Sequence, residues 1–491
     1  MGGVLHTLTS CRGPPRRVTL STTKVRMASL NLLSALSDRT RGLRPSPIPG
    51  PKGAPLVGAM PDFARSPLDF LMEVQRTYGD VVRIPIGPQE LFVISHPDTI
   101  EQVLLKDAGR YHKDEVTQML SVTLGQGLLT AEGDHWRRNR KLIAPAFRKG
   151  QLDRYGEAMV RAANDGLARI HDGQIVDVHH LNMHITLQIV AETLFGADVS
   201  ADAEAIGHSI EAMMQHFVAQ VRSWRRLVPL WVPLPGRIAI RREFKRIDAV
   251  LYRIIADRRA GGTDGDDVLS ALLRARDEDG GALDDAQLRD EAITLFVAGH
   301  ETTALLLTYA QWLLAQNPVE DARLRAELED VLGDRAPTPA DLPNLPFTEA
   351  VLKEAMRVLP PVWAIGRSPQ TEVVLEGYLI PPGAQLILSQ WLVHHDPRWY
   401  DDPMAFRPDR WLDGSLAALP RFAYFPFGGG PRVCVGNHFA MLEATLVLAV
   451  LHRAVRFEAR SSRLPELLPS VTLRPTHAVA LRARRLGRHA R

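Results

Sequence analysis

The sequence predicts a mainly α-helical domain with a smaller β region, which is an α+β fold. Much of the chain between residues 135 and 330 has the apolar periodicity of helices, interrupted at Gly and Pro. Strand-like segments occur nearer the two ends of the chain. Hydrophobic residues make up 45% and charged residues 23% of the 491 positions, so the chain can bury a large core.

The β region is predicted from three segments. The first is a hairpin with strands Val81–Pro85 and Leu91–Ser95. The second spans Thr371–Ser389 and turns at Pro381-Pro382-Gly383. The last is a strand-like stretch over Ser470–Arg482. Both ends of the chain therefore contribute to the predicted β portion.

The clearest helices lie in the middle of the chain. Their predicted bounds are Gln151–His171, His184–Leu194, Ala201–Val221 and Arg242–Ala260. The most apolar run, Ile293–Ala315, carries His300 and Glu301 at its middle, so it predicts a buried core helix rather than a membrane span. A shorter helix, Val351–Val358, stops before Pro360.

Residues 1–45 differ from the rest, since they are rich in Arg, Ser and Thr and contain a single acid, Asp38. We therefore expect an N-terminal extension over 1–45 that is disordered or targeting-like, one domain over 46–486 and a tail over 487–491. With no transmembrane anchor predicted, the expected location is the cytoplasm. Mitochondrial import through residues 1–45 is the alternative, because transit peptides share this composition.

Charge, cysteine content and glycine spacing exclude several classes of protein. The net charge of +3 does not indicate a nucleic-acid partner. The two cysteines, Cys11 and Cys434, form neither a disulfide framework nor a Cys-x-x-Cys metal site. The Gly125-Gln126-Gly127 loop is not a dinucleotide-binding fingerprint, because it lacks the third glycine and the strand–helix context.

The most informative feature is the loop around Cys434, with the sequence Phe427-Gly428-Gly429-Gly430-Pro431-Arg432-Val433-Cys434-Val435-Gly436. A single thiolate can hold a haem iron and donate electron density to it. Glycines let a backbone approach a flat ligand, and the Arg432 guanidinium can bind a carboxylate such as a haem propionate. A buried structural cysteine is the alternative for a lone Cys.

A second motif, Ala298-Gly299-His300-Glu301-Thr302-Thr303, lies inside the apolar run. A buried Glu in the middle of a helix is costly unless it has partners or a function. The Thr302 hydroxyl can donate to the Ala298 carbonyl and bend the helix. A polar kink in a core helix is the alternative. A zinc-protease motif is excluded, because Ala304 stands where a second histidine is needed.

Two further motifs place chemically active residues one helical turn apart. Glu354 and Arg357 share a helix face, as do Trp136 and Arg140. Taken singly, the first motif is also explained by a common surface ion pair and the second by ordinary surface residues. Their meaning therefore depends on the other motifs in the chain.

Together these motifs resemble those of the cytochrome P-450 superfamily, the haem-thiolate monooxygenases, and they occur in the family's order. The resemblance covers about residues 47–484 and indicates a soluble, bacterial-type member. It implies the cytochrome P-450 fold, with haem b (iron protoporphyrin IX) between a long central helix and the Cys-bearing loop. Cys434 would be the axial ligand of the haem iron.

The resemblance also implies roles for individual residues. Glu301 and Thr302 would be catalytic and relay protons to dioxygen. The haem would be held by Trp136, Arg140, Arg367, Phe427, Gly430, Arg432 and Gly436. A buried structural triad that fixes the loop before Cys434 would consist of Glu354, Arg357 and Arg410. The substrate pocket would include Leu295, Ala298, Val362, Trp363 and Ala364.

The implied reaction inserts one oxygen atom of O2 into a C–H bond of a hydrophobic molecule such as a fatty acid, alkane, terpenoid or steroid. The sequence shows no fused flavin or iron–sulfur domain, so electrons would come from a ferredoxin or flavodoxin-type donor with its NAD(P)H reductase. A basic cluster is a candidate docking surface for that donor, with a solvated helix face as the alternative. The cluster comprises Arg137, Arg138, Arg140, Lys141, Arg148 and Lys149. Two rival functions stay open, a peroxide-driven haem-thiolate enzyme and a non-catalytic haem carrier or sensor.

Overall fold

The computed structural model describes residues 48–196, 207, 209, 235–261, 265–463 and 466–487. The predicted N-terminal extension over 1–45 lies outside this part of the chain. The same holds for the predicted helix Ala201–Val221, apart from residues 207 and 209, and for the tail from residue 488.

Helices dominate the described residues, as the sequence predicts. In chain order they are α1 (Met60–Arg65), α2 (Pro67–Tyr78), α3 (Pro97–Glu101), α4 (Glu115–Met119), α5 (Ser121–Leu124), α6 (Gly133–Ile143), α7 (Lys149–Ala168), α8 (Val178–Phe195), α9 (Pro235–Gly261), α10 (Val268–Arg274), α11 (Asp285–Gln316), α12 (Pro318–Leu332), α13 (Pro346–Val358), α14 (Gln390–His394) and α15 (Asn437–Ala454). None of these described helices combines the length with the apolar composition that a membrane span requires.

The strands are short and form small sheets. They are β1 (Val81–Ile86), β2 (Gln89–Ile94), β3 (Tyr111–His112), β4 (Ile175–Asp177), β5 (Ile365–Pro369), β6 (Val373–Leu375), β7 (Tyr378–Ile380), β8 (Gln385–Leu388), β9 (Val455–Ala459), β10 (Leu467–Pro469), β11 (Leu473–Pro475) and β12 (Ala480–Arg485). The largest sheet has the order β1-β2-β8-β5-β3, and β2 and β8 are parallel with Phe92 opposite Leu386. This pairing joins distant parts of the chain in one sheet.

The long helix α11 runs through the core of the protein. It begins at a capping box, in which the Asp284 side chain accepts from the Gln287 backbone and the Gln287 side chain accepts from the Asp284 backbone. Helix α8 packs along it, where Asn182 donates to Gln311 at 2.8 Å and to Thr308 at 3.2 Å. These buried amide contacts fix the register between the two helices.

The Cys434 loop leads directly into α15, and α15 packs against α7, α11 and α13. Buried residues of α15, such as Leu446 and Leu451, belong to the same apolar cluster as Leu305 and Leu314 of α11. The fold therefore holds the Cys-bearing loop in a fixed relation to the central helix.

Most predicted elements are confirmed, with differences at their ends. Helix α11 begins at Asp285 rather than Ile293, because the capping residue and not the apolar pattern sets its start. The predicted single stretch Ser470–Arg482 is wrong, since it contains the two separate strands β11 and β12. β11 pairs with β10, whereas β12 pairs with β9 and β4. Short-range alternation does not reveal such a change of partner.

Candidate functional site

The loop that carries Cys434 is folded back by a hydrogen bond from the Cys434 N–H to the Phe427 carbonyl at 3.0 Å. Gly430 has a φ of +65°, and a Cβ atom there would lie 1.8 Å from the Leu104 carbonyl oxygen. Glycine alone combines this left-handed backbone with so close an approach. The glycine-rich sequence thus allows the loop to pack against the chain near Leu104.

The Cys434 side chain has accessible surface, yet protein atoms surround it closely. Burial raises the pKa of its thiol, whereas the Gly436 backbone N–H and the charge of Arg140 lower it. Burial also lowers the pKa of Arg140, an effect that Cys434 opposes. The thiol is therefore accessible to a ligand, with a backbone donor and a cation beside the sulfur.

Cationic side chains gather next to this loop. Burial and the neighbouring Arg367 and Arg432 lower the pKa of Lys113 well below its usual range, while Glu132 and Asp114 oppose that shift. Burial and Arg432 likewise lower the pKa of Arg367, to about 10. Three cations thus repel one another around two carboxylates. A ligand with additional negative charge would stabilise this cluster.

Glu132 connects the members of the cluster. It pairs with Arg432 and accepts a hydrogen bond from the Lys113 backbone N–H at 2.7 Å. Arg432 also donates to the Ala131 carbonyl at 2.7 Å, and its guanidinium carbon lies 4.1 Å from the centre of the Trp136 ring. Two of the predicted haem-binding residues, Trp136 and Arg432, are therefore in direct contact.

The central helix α11 contributes an accessible patch. Ala298 is exposed and Gly299 and Thr302 are partly exposed, although Phe296 and Thr303 on the same helix are buried. The Thr302 hydroxyl donates to the Ala298 carbonyl at 2.7 Å, which confirms the predicted bond. The small residues leave room for a ligand against this face of the helix.

Glu301 is buried and has two partners near the C-terminal end of the chain. Arg474 in β11 donates to its carboxylate at 2.6 Å, and the Thr472 hydroxyl donates to it at 2.8 Å. These contacts compensate the cost of placing a carboxylate in the middle of a core helix. The predicted proton-relay residue is therefore also one half of an ion pair between α11 and β11.

A small cavity adjoins this ion pair. It is lined by His179, Met183, Gly207, Val297, His300, Glu301 and Arg474. His300 is buried, with its Nε2 atom 3.1 Å from the Met183 carbonyl oxygen. Burial lowers the pKa of His300 to about 4, so the imidazole is neutral at physiological pH.

The predicted triad is present as a buried cluster. Arg357 and Arg410 both donate to Glu354 Oε1, at 2.8 and 3.0 Å. The Arg357 Nε–H donates to Glu354 Oε2 at 2.9 Å, and its other N–H groups donate to the carbonyls of His394, Pro403 and Ala405. This network holds the segment before the Cys434 loop against α13.

The predicted pocket residues differ in accessibility. Leu295 and Trp363 are buried, whereas Val362 and Ala364 are partly exposed. The Trp363 indole N–H donates to the Ser470 carbonyl at 2.8 Å. Trp363 is therefore anchored by the segment that links β10 and β11, the two strands next to the Glu301 ion pair.

The predicted basic cluster is less basic than its sequence indicates. Among the members whose side chains the structure describes, three have acidic partners, in the pairs Arg137–Asp134, Arg138–Asp277 (2.7 Å) and Lys141–Glu278 (2.9 Å). Such exposed pairs contribute little to stability, but they reduce the positive potential of this face.

The arrangement of these elements matches a known family. A family model for the cytochrome P-450 proteins matches residues 48–480. The chain belongs to the cytochrome P-450 family. Cyclooctatin synthase of Streptomyces melanosporofaciens is 35% identical over 92% of this chain and 96% of its own length. Pentalenene oxygenase of Streptomyces avermitilis is 35% identical over 82% of this chain and 89% of its own length.

Solved structures show the same fold. A retinoic-acid-bound cyanobacterial cytochrome P-450 has a TM-score of 0.81 and 27% identity, covering 90% of this chain and 100% of that chain. The haem domain of another cytochrome P-450 has a TM-score of 0.82 at 24% identity and covers 90% of this chain and 99% of that chain, which supports the fold. This chain is itself a cytochrome P-450 monooxygenase, as the sequence predicts.

Cytochrome P-450 enzymes bind protoporphyrin IX haem, and the residues present fit that group. The accessible Cys434 thiol, beside Arg140, suits an iron ligand. Among the described residues, the cations Lys113, Arg367 and Arg432 outnumber the neighbouring carboxylates Glu132 and Asp114, which suits the two propionates of haem.

Sequence motifs alone did not identify Lys113, Glu132, Thr472 or Arg474. Arg474 follows Glu301 by 173 positions, so no local spacing connects the two residues. Lys113 lies beside a two-residue strand and has no partner at helical spacing. Only the folded chain brings these side chains to the site.

Proposed function

We propose that this cytochrome P-450 hydroxylates a cyclic terpenoid, with Cys434 as the thiolate ligand of its haem iron. The observation that carries the ligand assignment is the accessible thiol in a glycine-rich loop, with Arg140 beside it. When bound, the haem supplies the redox chemistry that activates dioxygen. The protein residues hold the cofactor, shape the pocket and control protons.

Lys113, Arg140, Arg367 and Arg432 would hold the two propionates, and Trp136 would support Arg432 through its ring face. The lowered pKa values of Lys113 and Arg367 support this role, because an added carboxylate would relieve the mutual repulsion of the cations. The triad of Glu354, Arg357 and Arg410 would keep the Cys434 loop in the shape that the cofactor requires.

Thr302 and Glu301 of α11 would hold and transfer protons at the site. The Thr302 Oγ1 hydrogen now donates to the Ala298 carbonyl, and a rotation about its side chain would redirect it to a ligand beside Ala298. The Glu301 carboxylate would pass protons on from the neighbouring cavity, while Arg474 and Thr472 hold its position.

The terpenoid assignment rests on the apolar pocket residues and on the relatives. Leu295, Ala298, Val362, Trp363 and Ala364 bring no charged group to the predicted pocket, so an apolar substrate fits. The names of the similar enzymes refer to cyclooctatin, cyclooctat-9-en-7-ol and pentalenene. A fatty acid would need a cation for its carboxylate, and these five residues provide none.

Electrons would reach the cofactor from a separate ferredoxin or flavodoxin-type donor with its NAD(P)H reductase. The face of α6 carries Arg137, Arg138 and Lys141, which are paired with acids but stay near the surface. Exposed pairs exchange partners easily, so an acidic donor can compete for these cations at low ionic strength.

The proposal is tested with the haem-loaded chain, a bacterial ferredoxin, its reductase and NADPH under labelled dioxygen. Pentalenene, a long-chain fatty acid and a linear alkane are supplied in parallel, with Thr302→Val as the variant that removes the hydroxyl. We expect a terpene product with one labelled oxygen atom, and less product per NADPH in the variant. Turnover confined to the fatty acid or the alkane would overturn the substrate assignment. Turnover that needs added peroxide would overturn the proposed reaction.

A further inference from the structure

One face of the three-stranded sheet β4-β12-β9 is rich in arginine. On its central strand β12, Leu481 and Ala483 are buried, whereas Arg482 and Arg484 are exposed. Successive side chains of a strand point to opposite faces, so the two arginines share the face that is turned away from the core.

Strand β9 continues this outer face. Val455 and Phe457 are buried, so Arg456 and Glu458 lie on the outer side of the sheet. Arg460 follows the strand, continues the same alternation and is exposed. We refer to the four arginines of these two rows as the arginine face, which comprises Arg456, Arg460, Arg482 and Arg484.

The register of the sheet places two of these like charges directly opposite each other. Arg484 of β12 is the partner of Arg456 of β9. The Cβ atoms of directly opposed residues lie about 5 Å apart, and like charges in that position destabilise a strand pair. An anion bound between the two guanidinium groups would relieve this repulsion.

The acidic groups of the sheet do not neutralise the arginine face. Glu458 lies opposite Arg482 in the register, and its carboxylate contacts Arg484 at 3.2 Å. Asp177, at the far edge on β4, accepts from backbone N–H groups at the start of α8 and just before β12. Within the described part of the chain, the other three arginines of the face form no ion pair.

Further arginines adjoin the arginine face. Arg485 is the last residue of β12 and is exposed, although the Asp172 carboxylate, which accepts from its backbone N–H at 2.9 Å, offsets part of its charge. The sequence adds Arg488 and Arg491 beyond the described residues. The positive charge of this sheet is therefore much larger than the net charge of +3 for the whole chain indicates.

The same face also carries an exposed apolar side chain. Ile175 of β4 lies opposite Arg482 and is 47% exposed. Guanidinium groups bind phosphates through paired hydrogen bonds, and their spread over two strands suits several phosphates in a plane rather than one small anion. A plane of phosphates above hydrocarbon satisfies both the arginines and the isoleucine.

We propose that the arginine face docks the protein on an anionic lipid bilayer, with its guanidinium groups on lipid phosphates and Ile175 at the boundary of the acyl chains. Arg456 and Arg484 would share one phosphate. The contact is peripheral and reversible, because each arginine adds a modest attraction that salt weakens. Terpenoid substrates dissolve in the same bilayer, a consequence that rests on the proposed function.

The test is sedimentation of the haem-loaded chain with vesicles, which needs no turnover. We expect binding at low salt to vesicles of phosphatidylcholine and phosphatidylglycerol in equal parts, and no binding to phosphatidylcholine alone. Each arginine contributes roughly fivefold to the partition coefficient, so Arg456→Gln with Arg482→Gln should lower it about 25-fold. Ile175→Ser should weaken binding and leave its salt dependence unchanged, because it removes no charge.

The matched control removes the same charge elsewhere. Arg65 and Arg76 are exposed arginines in the last turns of α1 and α2, and Arg65→Gln with Arg76→Gln should bind like the wild type. Equal loss in the two double variants would overturn the proposal. Equal binding of the wild type to both kinds of vesicle would also overturn it, whether or not the variants fold.

Two other occupants of the arginine face are distinguished in the same experiment. Release of the bound chain by soluble glycerol phosphate, at the phosphate concentration of the vesicles, would assign the face to a small anion. Binding of an acidic ferredoxin that depends on Arg482, without binding to the anionic vesicles, would assign it to a protein partner. Either result would overturn the lipid assignment.

Discussion

Arg474 in strand β11 and Glu301 in the middle of helix α11 form an ion pair in which the guanidinium donates to the carboxylate at 2.6 Å. The side chain of Glu301 is 8% exposed and that of Arg474 is 19% exposed. The pair joins the β10–β11 hairpin to the proposed proton-relay residue Glu301. The position of the Glu301 carboxylate therefore depends on the position of this hairpin.

The first prediction concerns this pair. Replacing Arg474→Met leaves the Glu301 carboxylate buried without its cation, and the free energy of unfolding should fall by about 3 kcal/mol. The double variant Glu301→Gln with Arg474→Met removes both charges and should recover part of that loss. Urea unfolding of the single and double variants measures this coupling. Strictly additive effects would show that the pair contributes no mutual stabilisation.

The second prediction concerns the backbone of the Cys434 loop. In Gly430→Ala the new methyl group meets the Leu104 carbonyl at a backbone φ of +65°, so we expect at least about 2 kcal/mol of destabilisation and loss of haem during purification. Gly109→Ala is the matched control, since its Cβ atom would find open space within 4 Å. Haem content and melting temperature are the measurements. Equal behaviour of the two variants would contradict the proposed close packing.

The third prediction concerns acid stability. Since the pKa of His300 is about 4 in the folded protein and about 6.5 when unfolded, the unfolded chain binds the extra proton between these values. The free energy of unfolding should therefore decrease as the pH falls from about 6.5 to 4. In His300→Gln, whose side chain can still donate to the Met183 carbonyl, the free energy of unfolding should decrease less over this range. Part of the pH dependence should remain, because His395 also has a pKa of about 4 in the folded protein.

Urea unfolding at about pH 5 and pH 7 compares the two proteins. Glu291 has the opposite effect on the free energy of unfolding over part of this range. Its pKa is raised in the fold, so as the pH falls the folded chain binds this proton before the unfolded chain does, which stabilises the fold. Identical pH dependence in wild type and His300→Gln would mean that the His300 imidazole is not held neutral in the fold.

The fourth prediction concerns the docking face. Glu278→Gln releases Lys141 from its partner and should increase the rate of reduction by an acidic ferredoxin about twofold at low salt. Lys141→Gln should lower that rate, and both effects should vanish at high ionic strength. Stopped-flow reduction at two salt concentrations measures this. Rates that are unchanged at low salt would place the donor elsewhere on the surface.

Local patterns predicted much of the fold and the chemical centre of the site. The Cys434 loop, the Thr302 bond to Ala298 and the spacing of Glu354 and Arg357 depend on neighbouring residues, so sequence spacing identifies them. Arg410 was identified through the family resemblance rather than through spacing.

Contacts between distant segments could not be predicted in this way. Arg474 contacts Glu301 from strand β11. The alternation of apolar residues in the sequence did not show that β11 and β12 are separate strands. Lys113 enters the cation cluster through the pairing of β3 with β5. Glu291 accepts its hydrogen bonds from Asn139 and Leu128 only when α6 and the loop Gly125–Leu128 pack against α11. These relationships depend on tertiary packing, which leaves no periodic signal in the sequence.

The central claim is that Cys434 is the thiolate ligand of the haem iron. It is tested most directly by the difference spectrum of the dithionite-reduced protein with and without carbon monoxide, for wild type and Cys434→Ser. We predict a strongly red-shifted Soret band in the wild type that is lost in the variant while haem stays bound. The same band in both proteins, or its absence from folded, haem-loaded wild type, would contradict the assignment of Cys434.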